Sequence, residues 1–251
     1  MVMILSKCWS ILKRHFLQLL LLCAVFPGLQ WVFNVYFYRA KFIPLDFIFS
    51  AILMGCVYAY LFLNEQKNTR DLRFFTKGFD KILSLINIAV TVVIVEKAFN
   101  LILFHWNPGI DALSLTNHFS YMSKIILVLF YGQYSWIMVF ILTLVFPVLL
   151  TAQVAYVSVV VKENKFIASV LYALRIVYGQ PVGVLLGFIF FQIIHLIAFE
   201  FLIGSTVLWF LSSVLAHVLQ ATYFYALFIV TSTKLELHGS DDLIRQFGKK
   251  V

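Results

Sequence analysis

Residues 82–104, ILSLINIAVTVVIVEKAFNLILF, stay apolar for the length of one bilayer crossing and carry a single Glu-Lys pair near their far end. A hydrocarbon core about 30 Å thick takes about 20 helical residues. Moved along the rest of the chain, the same ruler finds spans at 16–38, 47–63, 125–150, 182–204 and 207–230, six with the first. The run 125–161 is too long for one upright span at about 1.5 Å per residue. Pro147 lacks a backbone donor and kinks such a helix, so 125–161 is one broken helix or two, and dividing it or 16–46 differently gives five or seven spans. The expected fold class is an all-α polytopic membrane helix bundle in a single domain, 1–251.

Composition agrees. Of the 251 residues, 63% are hydrophobic and 12% charged, where a soluble domain is about half apolar and a quarter charged. There are too few charges to coat a water-facing surface, which excludes a cytosolic enzyme, a disordered tail and a disulfide scaffold. Cys8, Cys23 and Cys56 are scattered and odd in number, so they read as small core residues. The basic stretch from Lys7 to His15 precedes the first apolar run as in a signal peptide. Trp31, Phe33 and Tyr36 occupy the place where a cleavage site needs small residues, so the run reads as an uncleaved helix.

The net charge is +8. With a cytoplasmic N-terminus, fifteen Lys and Arg fall in inside segments: Lys7 to Arg14, 64–81, 162–175 and the short tail 234–251. Arg39, Lys41 and Lys124 fall outside. Basic residues collect on the cytoplasmic side, so both termini are expected there, and the excess charge calls for no nucleic acid.

Residues 164–178 place Phe166, Ile167, Val170, Leu171, Leu174, Val177 and Tyr178 on one arc, with Lys165, Ser169 and Arg175 largely opposite and Ile176 the exception. Asn164 suits an N-cap, and Gly179 before Pro181 suits a stop. An amphipathic helix in the inner interface fits this pattern, touching anionic lipid through Lys162, Lys165, Ser169 and Arg175. A connector that covers helix ends fits it too.

Ionisable residues at membrane depth are costly and usually have a partner or a use. Glu96, Lys97, His195, Glu200 and His217 form the candidate intramembrane polar site. His and a desolvated Glu both exchange protons near neutrality, which suits a path for an ion, a proton or a lipid headgroup. The plainer reading pairs Lys97 with Glu200 between helices. Gln153 and Gln220 read as hydrogen-bonding contacts between helices, and Gly183 and Gly187 as places of close approach. HExxH, GxSxG and P-loop motifs are absent, as is any His pair spaced for a metal. The expectation is a non-catalytic protein with no cofactor and no metal.

From Pro147 to Phe188 the order is an apolar span ending Phe-Pro-Val-Leu-Leu, the stretch Val159 to Asn164, the helix Ala168 to Gln180, and another span. This resembles the YciC-type bacterial inner-membrane proteins. More distantly it is similar to the membrane domain joined to some bacterial glycerophosphodiester phosphodiesterases. The likeness extends loosely over 72–104 and 182–235; the stretches 105–124 and 125–140 depart from it. It implies an all-helical multi-pass protein of the bacterial cell inner membrane, with the 164–178 helix as a family feature. The functional expectation is an accessory or scaffold in envelope lipid homeostasis, partnered by anionic inner-leaflet lipid and other membrane proteins. The alternative is a small transporter or lipid flippase.

Overall fold

A computed structural model describes residues 1–28, 45–67, 78–106, 151–163, 165–187, 190, 194 and 206–247. Among them the chain is an all-α bundle without strands. The helices are α1 (Val2–Cys23), α2 (Leu45–Lys67), α3 (Ile82–Trp106), α4 (Thr151–Val161), α5 (Phe166–Gly179), α6 (Pro181–Gly187) and α7 (Thr206–Phe247). The span 125–150 lies outside the described residues, as do most of 188–205 and the first loop.

The helix α1 starts at Val2, upstream of the apolar run, so Lys7, Lys13, Arg14 and His15 are helical. Through Ala24 it continues to Gly28. Ile4, Cys8, Ile11, Leu19 and Cys23 are buried, a spacing of three or four that lays one stripe along the helix. That stripe packs mainly on α7. Leu17 and Leu21 point outward, as does most of the apolar surface of α1.

At the centre stand α4 and α7. From Ala221 to Phe228 every residue of α7 is buried. Such a helix, apolar on all sides, belongs inside a bundle or in lipid. Beyond Lys234 the helix runs on to Phe247, so the tail begins as its extension. α2 and α3 pair closely, with Gly55 of α2 beside Leu85 of α3. Gly78 approaches the Cys56 backbone so tightly that a Cβ there would lie 3.2 Å from its Cα.

The segments Val2–Gly28 and Val207–Leu235 are long and apolar enough to cross a membrane, and Phe166–Gly179 with Pro181–Gly187 adds a third if that bent pair is one span. α5 and α6 meet at 99°. Gly179 ends the first, and Pro181 opens the second with its fixed φ and missing donor. Before α5, Glu163 takes a positive φ of 54°. The cap position falls to Lys165, which makes no side-chain cap, and Asn164 lies outside the described residues.

Candidate functional site

The strongest gathering of charge among the described residues joins α1 to the end of α2. His15 occupies the buried stripe of α1 between Ile11 and Leu19, where the spacing calls for a hydrophobe. Its ring meets Tyr60 of α2 edge-on at 5.7 Å, and its Nδ1 lies 3.3 Å from the Tyr60 hydroxyl. On the other side Nε2 faces Glu65 Oε1 at 3.7 Å. A bare ring nitrogen would be repelled by the carboxylate, so Nε2 carries the proton, and in the neutral ring Nδ1 accepts from Tyr60.

Glu65 receives two more donors. Lys7 Nζ binds Oε2, and Arg14 Nη1 lies 3.5 Å from Oε1. Lys7 and Arg14 are seven residues apart, two helical turns, and so share a face of α1. Next to Glu65 in sequence, Asn64 is buried and donates to the Tyr60 carbonyl at 2.9 Å, which fixes the last turn of α2. A carboxylate near a helix C-terminus opposes the macrodipole; here the cations of the neighbouring helix offset it. Burial falls in steps outward, with side-chain exposures of 8% for Glu65, 15% for His15, 33% for Lys7 and 57% for Arg14. A negative floor thus lies under a positive rim.

The residues singled out from sequence are distributed otherwise. Glu96 and Lys97 fall in the C-terminal half of α3, whereas His195 and Glu200 lie outside the described residues. His217 is half-buried, its Nδ1 2.8 Å from the Ser213 carbonyl and its ring stacked on Phe26 at 4.6 Å. These contacts tie α7 to itself and to the end of α1. Lys162, Lys165 and Arg175 are exposed, with Lys162 over the Tyr172 ring at 5.9 Å. Ser169 is fully buried instead, and with Ala173 and Ile176 it forms the face of α5 that packs on the bundle. Ile167, Leu171 and Tyr178 point outward. Ser169 and Ala173 let the helix approach closely, and bulky apolar side chains face away from the bundle as on helices packed in lipid.

Two sequence-level contacts take a definite form. Gln220 donates to Gln153 at 3.2 Å, joining α7 to α4. Gly183 and Gly187 face Leu227 and Tyr223 of α7; a Cβ on Gly187 would run into the Tyr223 ring, and one on Gly183 would lie 3.2 Å from Leu227 Cδ1. The Tyr223 hydroxyl donates to the Gly183 carbonyl at 2.7 Å. All three cysteines are buried and free, and the described residues hold no group of three metal-ligating side chains.

The Glu65 cluster was not singled out from sequence. Its signal was nonetheless present, because Glu65 lies two residues beyond the expected span 47–63, at the end that the expected topology puts on the side of Lys7 to His15. Chemically the cluster offers charge and hydrogen-bond donors, which suits binding an anion. No family model, curated protein or solved structure matches the chain.

Proposed function

We propose that this protein is a multi-pass component of the bacterial inner membrane, with both termini cytoplasmic, that acts without catalysis as an accessory or scaffold in membrane lipid homeostasis. One observation carries the reading. On α5 the cations Lys165 and Arg175 and the apolar Ile167, Leu171 and Tyr178 are all exposed, while Ser169, Ala173 and Ile176 pack inward, and the helix turns 99° into α6. A helix with outward apolar side chains and basic heads, turned across its successor, suits the headgroup boundary of an anionic leaflet. The six-span count, the likeness to YciC-type proteins and the excess of basic residues on one side belong to the same reading.

The test is native mass spectrometry of the protein drawn from membranes in polymer-bounded discs. A stoichiometric protein companion is the expected result. A second reading, a small lipid flippase or transporter, draws on Glu96 and Lys97, which sit within the unbroken helix α3. Absence of any companion, together with headgroup translocation in reconstituted vesicles that Glu96→Gln abolishes, would replace the first reading with the second.

A further inference from the structure

We propose that Lys7 and Arg14, seated on Glu65 and braced by His15, form a discrete site for the phosphate of one anionic phospholipid. The inference deepens the reading above and rests on the chain lying in a membrane that contains such lipid.

Charge balance is the first argument. Glu65 brings one negative charge to two permanent cations and an imidazole, and both its oxygens are already engaged, Oε2 by Lys7 and Oε1 by Arg14 and His15. Partly buried charge is costly unless paired, and the surplus here is positive. The order of exposure makes this surplus reachable: the carboxylate is the deepest group and the Arg14 guanidinium the most open, with 57% of its side chain accessible. An approaching ligand meets cations first.

Geometry supplies the second. Arg14 turns one nitrogen to Glu65 at 3.5 Å, which leaves donors of its planar fork for a second acceptor. Such a fork matches two oxygens of a phosphate group. Lys7, whose ammonium has three N–H donors, flanks it as a further donor.

The third argument distinguishes a lipid from a free anion. Leu17 and Leu21 follow Arg14 at three and seven residues, on the same face of α1, with exposures of 67% and 69%. A bare apolar track therefore runs from the guanidinium along the helix. A phosphate with an acyl chain fills both the charged end and the track, whereas inorganic phosphate uses only the first.

The experiment titrates the full chain, purified in a neutral detergent, with dioleoylphosphatidylglycerol or dioleoylphosphatidylcholine and reads bound lipid by native mass spectrometry. The wild type should retain one phosphatidylglycerol in preference to phosphatidylcholine. Arg14→Gln, at the exposed rim, leaves the Lys7–Glu65 pair intact and should weaken that retention about tenfold. Leu17→Gln should also weaken it. Lys13→Gln, an exposed cation of α1 outside the cluster, should leave it unchanged, and the double variant Lys165→Gln/Arg175→Gln separates this site from the headgroup surface of α5. Equal retention of phosphatidylglycerol by wild type and Arg14→Gln would overturn the site. Loss of retention only in the α5 variant would also overturn it, while leaving the surface role of α5 standing. If inorganic phosphate displaces the lipid from wild type and Leu17→Gln has no effect, the ligand is a free phosphate and the lipid assignment falls. A protein companion found in discs, together with phosphatidylglycerol retention that does not depend on Arg14, sinks this site alone.

Discussion

Glu65 shows how one residue can hold two helices together. It is the acceptor for Lys7, Arg14 and His15, and its side chain is nearly buried. Replacing it with Gln keeps the shape and removes the charge, so three basic groups lose their counter-ion. Because Lys7 and Arg14 reach solvent, the loss is smaller than for a fully buried pair; Glu65→Gln is expected to cost about 1–2 kcal/mol. Unfolding by SDS in mixed micelles measures this. A double-mutant cycle with Lys7→Met should return a coupling of about 1 kcal/mol, and additive losses would show that the pair contributes nothing. His15 is the subtler case. Its position on the buried stripe calls for an apolar residue, and only the three-dimensional pairing with Tyr60 and Glu65 explains an imidazole there.

Between elements, the closest approach is that of α6 to α7. Gly187→Ala drives a methyl into the Tyr223 ring and should cost about 1–3 kcal/mol as the helices separate. Gly183→Ala should cost less, since Leu227 can shift its terminal methyl. Gly179→Ala, whose nearest neighbour is Thr231 Cγ2 at 3.8 Å, should be tolerated. The same SDS titration ranks the three, and equal effects would mean that the ring contact does not matter. Here the sequence was informative, for the spacing of Gly183 and Gly187 marked the contact surface, though only the fold identified Tyr223 as its partner. The face of α5 was less legible. A helical wheel sorts residues by polarity and so places Ser169 outward and Leu171 inward. In the bundle the neighbouring helices decide instead, so Ser169, Ala173 and Ile176 pack in while Ile167, Leu171 and Tyr178 face out. Apolar length likewise marked α2, α3 and most of α7. It could not show that α1 begins at Val2, since charged residues are as compatible with a helix as with a loop.

For the whole molecule, the burial of Cys8, Cys23 and Cys56 provides a silent background for mapping sidedness. The wild type should not react with a membrane-impermeant maleimide. Lys165→Cys, at an exposed position, should be labelled in inverted inner-membrane vesicles and not in intact cells from which the outer membrane has been stripped. Labelling in intact cells would reverse the proposed orientation. The α1–α2 tie also bears on how the protein is made. Arg14 and Glu65 are 51 residues apart, and at about 5–20 residues per second the ribosome delivers the carboxylate several seconds after the cations. With the proposed cytoplasmic N-terminus, the first helix carries Lys7, Lys13 and Arg14 without Glu65 during that interval, the kind of charge that holds an end on the cytoplasmic side of the translocon. When Glu65 emerges, most of that charge has already served to set the orientation, and the carboxylate closes on it. In the proposed orientation the same basic residues thus act first as an address for insertion and then as a clasp between α1 and α2.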